Sequence, residues 1–169
     1  QLGLSYAFYF EDYEDWLPSY GNTSTGSWAG KIYPYNKSYM IYWCPSDRKP
    51  YGKGTSYGNG LVAKKGLSYL FNNDLMYYNQ LFKKSTRFKK PSKTSLLNEG
   101  WGHVQGTYSY ATFDPPNIAT GFVRRHNKRI NVLYLDFHVV NLNDLPRDPN
   151  DASMPTGITD VNYFWRGTP

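Results

Sequence analysis

His126, Asp136 and His138 are the residues of this chain whose types and spacing come nearest to doing chemistry. Two imidazoles and one carboxylate are a donor set that suits a transition metal when positions are left open. A plainer reading of the same stretch is a β-hairpin. One strand covers 122–126, a polar turn follows at Asn127-Lys128-Arg129, and a second strand covers 130–135. Side chains of both signs fix turns more often than they form open metal sites. His126 and Asp136 are therefore expected to face each other across the hairpin, exchange a hydrogen bond and hold no metal.

Cys44 is the only thiol, which excludes an intramolecular disulfide and a cysteine-rich metal site. As a nucleophile it would need an imidazole from His103, His126 or His138. Its setting, Trp43-Cys44-Pro45-Ser46, reads as a strand end running into a turn, and predicts a buried thiol with no histidine paired to it. Glu99 and Asp114 are the carboxylates that would serve as a glycosidase pair, but nothing else in the chain supports hydrolysis. Asp148, Asn150 and Asp151 put oxygen donors in one loop, an incomplete set for calcium, which takes about six to eight. A phosphate-cradling loop, a dinucleotide turn and a serine nucleophile elbow are all absent. The expectation is a protein without a cofactor and without catalysis.

The elements that position these groups follow from periodicity. Leu2, Tyr6, Tyr9, Tyr13 and Trp16 are spaced four, three, four, three, the apolar stripe of a helix over 1–17 that Pro18 ends. No capping residue precedes Leu2, so this is expected to be the C-terminal part of a longer helix. Strands are predicted at 39–43, 67–71, 95–98 and 107–113, with two helical turns at 75–82. The strongest β region spans 122–142. Within it Ile130, Val132 and Tyr134 share one face, and Asn131, Leu133 and Leu135 the other. Pro146, Pro149 and Pro155 exclude regular structure from 143–169, leaving a tail that wraps the body, pinned by Phe164 and Trp165. One helix followed by strands argues for an α+β domain over 1–169, the helix packed on an antiparallel sheet with long irregular loops.

Composition narrows the classes. Aromatic residues make up 18%, with 17 Tyr and 5 Trp, too much ring area for a disordered chain. Charged residues are only 19%, so much of the surface falls to Ser, Thr, Asn, Gly and tyrosine hydroxyls, as in proteins outside the cytoplasm. The net charge of +6 is spread thinly except for Lys83, Lys84, Arg87, Lys89, Lys90 and Lys93. That cluster reads as a solvated segment, and no nucleic-acid partner is expected.

Four segments, in order along the chain, carry a resemblance. They are Gln1-Leu2-Gly3-Leu4-Ser5 with its acidic-aromatic continuation to Leu17-Pro18; Tyr42-Trp43-Cys44-Pro45-Ser46-Asp47; Lys90-Pro91-Ser92-Lys93-Thr94 running on to Glu99; and His126 followed after nine residues by Asp136. Together they resemble the prepilin-type, processing-associated H-x9-D-G family, with Phe137 where the signature has glycine. The resemblance implies a type II secretion pseudopilin with a pilin-like fold. A precursor of that kind has a basic leader, cut by a prepilin peptidase, and an apolar helix anchored in the bacterial inner membrane. The globular part then sits on the periplasmic side of the envelope. There it packs with other pseudopilins into a filament, on an inner-membrane platform that serves secreted cargo. On this reading Cys44, Pro45, Glu99, His126, Asp136 and His138 are structural. A phenylalanine in a left-handed turn is costly, so the strand is expected to run on through Asp136 or to turn differently. The rival reading is an extracellular carbohydrate-binding module using Trp16, Trp28, Trp101 and Trp165 as a stacking platform, and behind it a small hydrolase.

Overall fold

A computed structural model describes residues 1–18, 27–48, 50, 52–72, 75, 84–100, 107–108 and 125–143. Among these residues, helices α1 (Leu2–Asp12) and α2 (Trp28–Ile32) precede strands β1 (Tyr69–Asn72), β2 (Ser95–Glu99), β3 (Thr107–Tyr108), β4 (Ile130–Tyr134) and β5 (Val139–Leu142). The sheet order is β3-β1-β2-β4-β5. β1, β2, β4 and β5 pair with their neighbours antiparallel, while β3 joins β1 in parallel, so the α+β class holds with one departure from a purely antiparallel sheet. Among the described residues no helix is long and apolar enough to cross a membrane.

The buried stripe of α1, Tyr6, Tyr9 and Phe10, joins the core, with Tyr6 against Phe71 of β1. Tyr6 lies among the Phe10, Trp28 and Phe71 rings at 6.0 to 6.3 Å between centroids. The helix ends at Asp12, earlier than its stripe predicts. Glu11 and Asp12 occupy its last turn, where carboxylates oppose the partial negative charge of the helix end. Glu14 and Asp15 then take positive φ values of 48° and 65° and turn the chain. Tyr13 and Trp16 leave the helical face and are exposed, and Phe10 takes the buried place instead.

β2, the central strand of this sheet, is buried along its whole length, so both faces of the sheet are covered there. In β4 the predicted alternation is realised. Leu133, with Leu135 just beyond the strand, joins the core that α1 covers, whereas Ile130, Val132 and Tyr134 are buried on the other side. The run 39–43 is not a strand but a 3₁₀ helix (Tyr39–Tyr42). Its ring-rich side chains fill space rather than pair. Tyr42 is fully buried 6.0 Å from Trp28, and its hydroxyl donates to Ala29 O at 3.2 Å. The expected helical turns at 75–82, most of the strand at 107–113 and the tail from 144 lie outside the described residues.

At Phe137, where the resembling family has glycine, the chain takes a left-handed turn. The strand does not run on through Asp136: it turns, with Phe137 N donating to Tyr134 O at 2.9 Å, and Phe137 adopts φ 70°. The cost of a left-handed L-residue, about 1–2 kcal/mol, is offset by packing of its half-buried ring 5.7 Å from Phe10. Removing a fully buried phenylalanine costs about 3–5 kcal/mol, and a half-buried one roughly half that. Phe137→Gly is therefore expected to lower stability by about 1 kcal/mol net, and Tm by about 2–4 °C in a thermal melt. A glycine variant more stable than the parent would show that strain outweighs the ring contact.

Candidate functional site

Three of the segments that carry the resemblance end at one place. Cys44 follows the Tyr39–Tyr42 turn, and its N–H donates to Ser68 Oγ at 2.9 Å, just ahead of β1. Glu99 is the last residue of β2, paired in register with Tyr69 of β1. His126 sits in a tight turn before β4, bridged to Arg129, with Asn127 and Lys128 at φ 52° and 62°. Two consecutive positive φ values make this a two-residue turn of the type that matches strand twist, rather than the three-residue loop expected.

The side chains converge. His126 Nε2 lies 2.7 Å from Glu99 Oε1 and 3.5 Å from Cys44 Sγ. Glu99 Oε2 accepts from the Asn131 N–H at 3.0 Å. Glu99 has no solvent exposure, whereas the His126 side chain is 38% exposed, so the cluster is closed on one side and open on the other. Beside it Arg125 donates to Asp47 Oδ2 at 2.7 Å, to Gly100 O at 2.9 Å and to Ser68 O at 3.3 Å. This ion pair is buried, its side chains 2% and 5% exposed. Removing one partner of such a pair costs about 3–5 kcal/mol.

Two sequence expectations are corrected here. His126 does not meet Asp136, because the five residues of β4, at about 3.3 Å each, separate them. Asp136 Oδ1 instead pairs with His138 Nδ1 on the surface, and the His138 ring stacks on Tyr134 at 4.4 Å. The second correction is that Cys44, buried as expected, does have a histidine beside it. The geometry does not favour a nucleophile and its base. One nitrogen, Nε2, faces both Glu99 and Cys44, and a hydrogen donated from it to the carboxylate leaves no lone pair for a thiol proton. Burial pushes the Cys44 thiol above its ordinary range, and the Glu99 charge adds to this against hydrogen bonds at Ser46 and the Arg125 charge.

Pro45 is exposed and starts the turn in which Asp47 N donates to Cys44 O at 2.8 Å. Asp114, His103, Asp148, Asn150 and Asp151 lie outside the described residues. Sequence reasoning missed Arg125, Asp47, Ser68 and Asn131. Asp47 closes one resembling segment and Arg125 directly precedes another, so their opposite charges were legible, but the other two act through a hydroxyl and a backbone N–H that carry no pattern.

The rearranged partnership has a measurable consequence. In urea unfolding, His126→Ala and Asp136→Ala are expected to be additive within about 0.3–0.5 kcal/mol, as befits separate sites. His126→Ala and Glu99→Gln are expected to couple by about 0.5–3 kcal/mol. Coupling between 126 and 136 with none between 126 and 99 would restore the pairing across the hairpin.

No family model matches the chain, and neither the curated proteins nor the solved structures contain a match to it.

Proposed function

We propose that this chain is a structural subunit of a pilin-like filament of the type II secretion kind, rather than an enzyme. The observation that carries the reading is the second face of α1. Tyr6, Tyr9 and Phe10 bury one side of the helix in the core, while Leu4 and Phe8, one helical turn apart on the opposite side, are 61% and 46% exposed. Exposed apolar residues are ordinary when scattered, but two aligned at i and i+4 form a stripe that a neighbouring helix can cover. The resembling segments support the same reading, since their buried residues tie turns and strand ends together. In this proposal an apolar anchor precedes Gln1, a prepilin peptidase processes the precursor, and the described domain faces the periplasm. Its partners are other pseudopilins, the inner-membrane platform and the secreted cargo.

The glycan-binding rival finds less support. Trp28 is a core residue, correcting its place in a stacking platform. Exposed Trp16 has the Lys84 ammonium 5.4 Å from its ring centroid, and exposed Tyr13 stacks on Tyr9 at 4.4 Å. Trp101 and Trp165 lie outside the described residues.

Two side chains offer far less area than the roughly 1,200 Å² of a stable interface, so the domain alone is expected to be monomeric. The test uses the full precursor in bacterial membranes. Leu4→Cys and Phe8→Cys are expected to give disulfide- or bismaleimide-linked ladders of multimers, with buried Cys44 silent in the parent. Monomer alone from both variants, under conditions that cross-link a known pseudopilin, would contradict the filament reading.

A further inference from the structure

We propose that Cys44, Glu99 and His126 form a zinc-class metal site with three protein ligands and one open position. This goes beyond the structural role argued above and stands or falls separately from it. One ligand atom from each residue lies within 4.8 Å of the others, with Cys44 and Glu99 buried and His126 half-buried. Thiolate, imidazole and carboxylate together match the borderline character of zinc better than that of calcium or magnesium.

The distances suit a small tetrahedral ion. With zinc–sulfur near 2.3 Å and zinc–nitrogen near 2.0–2.1 Å, a tetrahedral edge from sulfur to nitrogen is about 3.5 Å. Cys44 Sγ and His126 Nε2 are 3.5 Å apart without an ion. The Nε2 to Oε1 separation of 2.7 Å is a hydrogen bond and has to open by about 0.6 Å to become a ligand edge. His126 can make that adjustment, because it sits on an exposed turn. Glu99 need not move, because Asn131 N–H holds its other oxygen. That bond, and the Ser68 hydroxyl on Cys44 N–H, are the outer contacts that fix ligands in metal sites.

Charge is also balanced. Arg125, the cation beside the site among the described residues, is engaged by Asp47 at 2.7 Å. Thiolate and carboxylate then neutralise a divalent ion. The ion takes the place of the hydrogen on Cys44 Sγ, which leaves as a proton, while the His126 ring hydrogen moves from Nε2 to Nδ1 so that Nε2 can ligate as neutral imidazole; one proton is released and binding strengthens as pH rises. The fourth position opens on the exposed side of His126, where water can complete the shell.

The experiment titrates metal-free protein with cobalt(II), which stands in for zinc and reports a thiolate ligand by an intense near-ultraviolet charge-transfer band. The expected result is a one-to-one endpoint with that band, displaced by zinc. Cys44→Ser abolishes the band. His126→Gln, which keeps a hydrogen-bond donor for Glu99, weakens affinity more than about tenfold. His138→Gln is the control, because the exposed His138–Asp136 pair is the competing site. The proposal is overturned if no band appears at stoichiometric cobalt, if the band survives in Cys44→Ser, if His126→Gln binds as tightly as the parent, or if His138→Gln alone removes binding.

Discussion

A carboxylate taken wholly out of water has to be satisfied where it stands, or the fold carries a penalty of several kcal/mol. Glu99 is such a group, on the central strand with no exposure. Its partners come from elsewhere in the sequence: the His126 ring at Oε1 and the Asn131 N–H at Oε2. Satisfying it therefore requires β2 and β4 to be in register and the turn at 126–129 to be closed. The buried Arg125–Asp47 pair extends the constraint to the turn after Cys44, and its bonds to Ser68 O and Gly100 O bring in the strand ends of β1 and β2. One end of the sheet is thus held by charge and hydrogen bonds, while α1 covers its apolar face.

The two ends of β4 obey different physics. At its start the polar junction sets geometry through directional bonds. At its far end Phe137 is held in a left-handed conformation by ring packing on Phe10 of α1. A glycine there would adopt the turn freely but give the helix nothing to rest on. Phe137 thus couples the turn after Asp136 to the position of α1, whose opposite face is the proposed contact with other subunits. A further close approach lies nearby: a Cβ on Gly3 would come 3.2 Å from Leu133 Cδ1, so the small residue lets α1 lie close over β4.

Periodicity made the local elements legible. The two faces of β4, the position of β2 and the burial of Tyr6 and Tyr9 follow from alternation and helical spacing, because burial is decided residue by residue along the chain. The end of α1 was misplaced because its stripe continues past Asp12 while the acidic residues stop the helix. The 39–43 run was misread because β-prone rings also fill a core from a 3₁₀ turn. The site was half legible. Its residues were singled out, but their partnership was not, since Cys44 and His126 are 82 positions apart and Glu99 and His126 are 27 apart. Spacing along one strand suggested Asp136 as the partner. The sheet order, which places β2 between β1 and β4, decides for Glu99.

The most direct test of the Glu99 junction is the position of the hydrogen on the His126 ring. Long-range proton–nitrogen correlation spectra of metal-free protein, with His103→Gln and His138→Gln used for assignment, read it without perturbing the site. If Glu99 is the acceptor that organises this end of the sheet, Nε2 carries a hydrogen that exchanges slowly with water, and Glu99→Gln shifts its resonance. A ring protonated on Nδ1 alone, or an Nε2 hydrogen indifferent to Glu99→Gln, would contradict the account.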